Sequence, residues 1–307
     1  MSQEVPEKGS AMRRFTRFTL AGLTAASLAC GLAVATSAPA GASPATAATE
    51  SAAKASQATA AARAALAQLR IGRPVPGRRV PASAIRAGRG LTKIEYFNWS
   101  GYGDTNTGGL VYSKVAGSWT QPAVTCTQED EWVVTWVGID GLTNSTVEQD
   151  GTLAQCFEGK AHYYTWWEMY PTNDIQVVGS TVKPGDKITG SVIRTGTSYA
   201  LKVTDATTTA NSFSTTQTCT VSGGCANSSA EWIAEAPTGP TGQYPLADFH
   251  SWKLTSATVT AGTKSGDIST FPDDEITMMD SSFTYPLASP GALTTGNSFT
   301  VTWDNSF

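Results

Sequence analysis

From Tyr96 onward this chain reads as short runs rich in Val, Thr, Tyr and Trp, cut by Gly, Pro, Asn and Asp, with little helical periodicity. The clearest runs are 131–137, 162–170, 187–193, 199–203, 231–234, 254–259 and 299–303. Each has the length of a strand and is too short for a helix with a buried face. Runs of this kind at even spacing build a β-sandwich or a barrel. Roughly 215 residues with no internal repeat fit one large two-sheet domain better than two small ones.

Charge divides the chain in two. Only 15% of its 307 residues are charged, against ~25% in an average protein, so a disordered acidic or basic chain is excluded. The net charge of −4 hides an asymmetry. Residues 1–93 hold thirteen of the 21 Lys and Arg but only three of the 25 acids, which leaves 94–307 at −14. The second part lacks the basic surplus of a nucleic-acid binder.

The first part reads as targeting sequence. Arg13, Arg14 and Arg17 precede an apolar and small-residue run, and Ala38-Pro39-Ala40 and Ala40-Gly41-Ala42 fit small-residue cleavage sites. Residues 1–40 are therefore expected to be a secretory signal peptide. No later segment is apolar for the ~18 residues of a membrane span, so a secreted, extracellular protein is expected, with no membrane contact after signal removal. Residues 41–91 are different again. An Ala-rich stretch, 45–69, is expected to be helical. It leads into Ile71-Gly72-Arg73-Pro74-Val75-Pro76-Gly77-Arg78-Arg79, which cannot build a core. Facing a −14 domain, this basic segment reads as the chain's own propeptide, docked by charge; the plain alternative is a linker. The folded domain is then 92–307, expected to be a monomer.

Outside the signal, four cysteines remain, Cys126, Cys156, Cys219 and Cys225. An even number in an exported chain points to two disulfides. Cys219 and Cys225 bracket Thr-Val-Ser-Gly-Gly, a hairpin turn, and are expected to pair, leaving Cys126 with Cys156.

Elimination narrows the chemistry. There are two histidines, His162 and His250, no Gly-x-Ser-x-Gly elbow, no His-Glu-x-x-His, no Asp-Thr-Gly or Asp-Ser-Gly, and no glycine-rich phosphate loop. Carboxylates, amides and aromatic rings remain. On a strand through 163–170, Tyr164, Trp166, Glu168 and Tyr170 share one face. Such a ring-rich face with a carboxylate suits an extended polymer. In 231–235, Glu231, Ile233 and Glu235 share a face, and a carboxylate in so apolar a strand has a raised pKa, as a general acid or base needs. In 147–151, Val147 and Gln149 face one way and Glu148 and Asp150 the other. Gln149 is expected to point inward, between acids that point outward.

Taken in order, Asn98-Trp99-Ser100-Gly101-Tyr102, Trp136-Val137-Gly138-Ile139-Asp140-Gly141, Gln149 with Gly151, Trp166-Trp167-Glu168-Met169-Tyr170-Pro171 and Ala230-Glu231-Trp232-Ile233 resemble the G1 family of glutamic peptidases, the eqolisins. The likeness covers essentially all of 94–307. It implies an all-β, lectin-like sandwich of two large antiparallel bent sheets, with a Gln/Glu pair on the concave face. Carried over, the pair is Gln149 and Glu231, and Trp136, Asp140, Trp166, Glu168 and Tyr170 line the substrate cleft. Tyr164 stands where fungal members of the family carry an acid, a departure that affects the cleft's charge. The implied activity is acid endopeptidase action on polypeptides, without metal or cofactor. Glu231 would activate water and Gln149 would stabilise the oxyanion. Two other readings fit a ring-lined sandwich. A glycoside hydrolase would pair Glu168 with Glu231 across a sugar bond, although the closely spaced Glu-x-Asp-x-x-Glu of one such class is absent. A lectin would need no Glu231 at all.

Overall fold

The computed structural model describes Ala60, 64–72, 78–79, 92–105 and 108–306. The signal peptide and most of 41–91 lie outside these residues. Among the described residues, fifteen strands have five residues or more. They are β1 (Thr92–Tyr96), β2 (Trp99–Thr105), β3 (Tyr112–Thr120), β4 (Trp132–Ile139), β5 (Val147–Phe157), β6 (Lys160–Tyr170), β7 (Asn173–Val177), β8 (Lys187–Thr195), β9 (Ser198–Asp205), β10 (Phe213–Thr218), β11 (Ser229–Glu235), β12 (Ser251–Ala261), β13 (Asp273–Met279), β14 (Pro286–Pro290) and β15 (Phe299–Trp303). All seven runs singled out in the sequence fall on strands.

The strands form two large sheets. The first runs β1-β13-β2-β11-β4-β5-β6-β7, and the second β14-β15-β12-β3-β8-β9-β10. Every pair is antiparallel except β1 with β13. The sheets join where β13 pairs with β14 across a register shift. The sandwich thus forms, and the barrel alternative does not.

Two apolar clusters flank the first sheet, and alternation assigns side chains to them. Val133, Val137 and Ile139 of β4 and Trp232 of β11 meet Trp119, Val192, Leu201 and Trp252 of the second sheet in the inter-sheet core. The Trp232 indole donates to the Ala116 carbonyl at 3.0 Å, the partner a buried N–H requires. Trp132, Val134 and Trp136 point the other way, into a cluster on the outer face with Trp99, Leu153, Tyr164, Trp166 and Ile233. Every residue of β4 is therefore buried, as in strands covered on both faces.

That double coverage reverses the expected directions: Gln149, expected to point inward, lies on the outer face of the first sheet with Trp136 and Trp166. Glu148 and Asp150 do not point outward to water; both face the space between the sheets and are 0% exposed. The amide of Lys202 donates to Asp150 at 2.8 Å. Burial pushes both carboxyls well above the usual range, with Asp140 adding to the effect at Glu148 and backbone amides opposing it at Asp150. A central strand of a two-layer domain has no solvent side, so alternation sorts these acids between two buried faces.

Both expected disulfides are present, Cys126–Cys156 and Cys219–Cys225. What covers the outer face is the chain's own N-terminal segment. Of the stretch expected to be helical, Ala60 and 64–66 are helical. Leu66, Leu69 and Ile71 are buried in the outer-face cluster. Further on, Arg78–Arg79 adds a short antiparallel strand to β1 at the sheet edge.

Candidate active site

Cross-strand register sets the frame of the site. Gln149 on β5 lies opposite Gly138 on β4, which lies opposite Glu231 on β11. All three face outward, and Gln149 also lies opposite Glu168 on β6. By backbone alone, Glu231 is the glutamate in the row of Gln149, and Glu235 stands two pleat repeats further along β11.

The side chains bring Glu235 into the same neighbourhood. A Cβ at Gly138 would meet the Trp136 ring at 2.9 Å, so the indole fills the space over that glycine, between Gln149 and Glu231. Trp136 Nε1 then donates to Glu235 Oε2 at 2.9 Å. Trp99 stands edge-on to Trp136, with ring centroids 5.0 Å apart. Asn98 Nδ2 reaches Glu235 Oε1 at 3.4 Å, and the amide of Gly72 donates to both oxygens at 3.0 and 3.2 Å. Glu235 is fully buried, which pushes its pKa well up; the Gly72 amide and Trp136 indole pull it down, and Glu168 adds to the rise.

Gln149 converges on the same point. Its Nε2 donates to Glu168 Oε2 at 2.7 Å, which fixes the amide and leaves the second N–H of that nitrogen for another acceptor. A Cβ on Gly72 would lie 2.2 Å from Gln149 Nε2 and 2.8 Å from Oε1. The backbone of Gly72, at φ +75°, thus lies against both Gln149 and Glu235.

Glu231 occupies a different pocket. Its Cγ lies 3.6 Å from where a Gly103 Cβ would be, beside Leu142 and Ile276. It is fully buried, and its pKa is raised by that burial first, then by Asp140, Asp104 and Glu148, with Ser229 opposing. Asp140, expected in the cleft, has φ +71° and spends its oxygens on the loops around it. They accept from Asn144 Nδ2 at 2.8 Å, Thr146 Oγ1 at 3.1 Å and the amides of Asn227 and Ser228 at 2.6 and 2.7 Å. It therefore ties the β4–β5 turn to the start of β11. Trp166 is fully buried in the outer-face cluster beside Tyr164, and Tyr170 closes β6 half-buried. Asn98, Trp99 and Glu235 were not among the expected site residues. The alternation of 231–235 had already put Glu235 on the right face.

The profile of the Peptidase A4 family matches residues 97–303. Aspergillopepsin-2 of Aspergillus niger is 30% identical over 212 residues, covering 62% of this chain and 72% of that protein. Among solved structures, scytalido-glutamic peptidase superposes with a TM-score of 0.58 at 21% identity, over 67% of this chain and 98% of that one; this likeness bears on the fold. Aspergilloglutamic peptidase from Aspergillus niger superposes with a TM-score of 0.51 at 28% identity, over 57% of this chain and 100% of that one. The sugar-cleaving and lectin readings give way to this match. The chain belongs to the Peptidase A4 family, the G1 glutamic endopeptidases or eqolisins.

Proposed function

We propose that this chain is a secreted endopeptidase that cleaves polypeptides in acid through Gln149 and Glu235. The observation that carries the pairing is their convergence on the Gly72 backbone. Glu231, the glutamate expected from the sequence, lies beside Leu142 and Ile276 over Gly103. Two structures similar to this one were solved with transition-state analogues, one of them peptide-based, which supports a peptide in the cleft.

Amide hydrolysis needs an activated water, a stabilised oxyanion and a protonated leaving nitrogen. Ionised Glu235 takes a proton from water, which attacks the carbonyl carbon. Negative charge grows on the carbonyl oxygen, and the free N–H of Gln149 donates to it. An oxyanion donor of this kind is worth roughly 3–4 kcal/mol. The C–N bond breaks as Glu235 returns its proton to the nitrogen, leaving a carboxyl product and an amine. The Gly72 amide nitrogen, 3.0 Å from Glu235 Oε2, stands where a leaving nitrogen would stand. Glu168 holds the Gln149 amide in orientation and is a positioning residue. Burial raises the Glu235 pKa, which makes its carboxylate a stronger base when ionised and keeps its acid form available as a proton donor to higher pH than an ordinary glutamate.

Secretion is supported by the leader-like sequence at 1–40, and acid action by the buried carboxyls and the −14 domain. The deciding experiment is hydrolysis of a denatured protein at pH 3–4 by the wild-type chain, Glu235→Gln and Glu231→Gln. Loss of activity in Glu231→Gln with retention in Glu235→Gln would return the role to Glu231.

A further inference from the structure

Residues 66–72 run along the outer face of the first sheet, where a polypeptide substrate would lie if Gln149 and Glu235 form a peptidase site. After the helical turn at 66–68, burial over 69–71 alternates as in a bound strand. Leu69 and Ile71 are 0% and 1% exposed, and Arg70 between them is exposed. Alternate side chains of an extended chain point the same way, so one edge of the segment faces the cleft and the other faces water. The Arg70 amide donates to the Thr238 carbonyl at 2.8 Å, and the Thr238 amide to the Arg70 carbonyl at 3.1 Å. Backbone pairing with pockets for alternate side chains is peptide recognition by strand addition.

The pockets are apolar. Leu69 and Ile71 belong to one cluster with Trp132, Val134, Trp136, Leu153 and Ile233. The guanidinium of Arg70 turns back to the Leu69 carbonyl at 3.0 Å. The charge-driven docking expected of this segment rests mainly on arginines outside the described residues; what holds 66–72 is apolar packing and backbone pairing. Gly72 comes next, where the chain passes Gln149 and Glu235. Its positive φ and the 2.2 Å gap from a Cβ to Gln149 Nε2 leave room for glycine alone while Gln149 keeps its place.

Resting on the peptidase reading of Gln149 and Glu235, we infer that the cleft carries two aliphatic subsites, two residues apart. They select extended peptides of the pattern aliphatic-x-aliphatic-glycine, and Leu69-Arg70-Ile71-Gly72 fills them in the uncut chain. Tyr164, which joins Trp166 in the same cluster, keeps this part of the cleft uncharged. The uncut chain therefore carries a tethered ligand in its own substrate site.

The test uses the full chain and the double variant Leu69→Ser, Ile71→Ser, which empties the subsites. Synthetic Gln-Leu-Arg-Ile-Gly and Gln-Ser-Arg-Ser-Gly are titrated against each, with cleft tryptophan fluorescence as the readout. The aliphatic peptide should bind the double variant at least about tenfold more tightly than the serine peptide, since each buried aliphatic side chain accounts for roughly a tenfold change. The wild-type chain should bind neither. Should the double variant fold poorly, Gly72→Val displaces the segment by collision with Gln149 and takes its place. Equal binding of both peptides, binding of neither, or wild-type binding equal to the variant's overturns the inference. Hydrolysis of a denatured protein is measured in parallel. Hydrolysis without aliphatic preference overturns only the subsites, and aliphatic-selective binding without hydrolysis overturns only the proposed activity.

Discussion

Glu235 receives the Gly72 amide on both carboxyl oxygens, at 3.0 and 3.2 Å, and Gly72 is also the residue against which the Gln149 amide packs. Gln149 and Glu235 sit on strands separated by β4 and out of register by four residues. Neither strand geometry nor sequence spacing brings them together. The indole of Trp136 lies over Gly138, the residue between Gln149 and Glu231 in register, and donates a hydrogen bond to Glu235.

Glu235→Gln should lower hydrolysis of a peptide substrate by about 100-fold or more, as loss of an acid/base group does. Glu231→Gln should leave kcat within a few-fold of the wild type. Steady-state kinetics at acid pH, with circular dichroism to confirm folding, checks both. Gln149→Ala should lower kcat by about 100- to 1,000-fold, the range for loss of one oxyanion donor.

Glu168 should act chiefly through Gln149, whose amide it holds. Replacing it by Leu frees the Gln149 amide and should lower kcat about tenfold with little change in KM, in line with the value of a charge-assisted bond. Glu168→Gln still offers an acceptor and should restore most of that loss. A Glu168→Gln variant as damaged as Glu168→Leu would mean that the charge itself matters.

Stability should fall as pH rises. Asp104, Glu148, Asp150, Glu231 and Glu235 all have folded-state pKa values raised above the ordinary carboxylate range, chiefly by burial. A group with a raised folded pKa stays protonated in the native state where the unfolded chain has lost its proton. Its contribution is fully present below the unfolded value, near ~4, and is lost as pH climbs toward the folded value. Urea midpoints measured from pH 3 upward should therefore decline beyond about pH 4. A midpoint that rises steadily to neutral pH would contradict these protonation states.

The two disulfides should differ in weight. Cys126–Cys156 spans 30 residues and Cys219–Cys225 spans six. Loop-closure entropy assigns about 3.6 kcal/mol to the first and about 2.2 kcal/mol to the second. Paired Cys→Ser variants, compared by urea unfolding, should show that order.

Much of this protein is legible in its residues. Period-two alternation put Tyr164, Trp166 and Glu168 on one face and grouped Glu231, Ile233 and Glu235 on another, and both groupings appear in the sheet. The turn between Cys219 and Cys225 announced one disulfide, and elimination then paired the other two cysteines. These are local properties, set by the pleat and by short loops. Alternation assigns a side chain to a face without saying what covers that face. Glu148 and Asp150 were expected in water because the second sheet, packed from distant sequence, was not in view. Alternation also ranks Glu231 and Glu235 equally, since both have the same parity. What distinguishes them is long-range contact: Glu235 meets Trp136, Asn98 from another part of the chain, and Gly72 from 163 residues away. Local spacing determined which residues could meet, and tertiary packing decided which of them did, because only the assembled sheet brings rings and backbones from distant sequence into the same few ångströms.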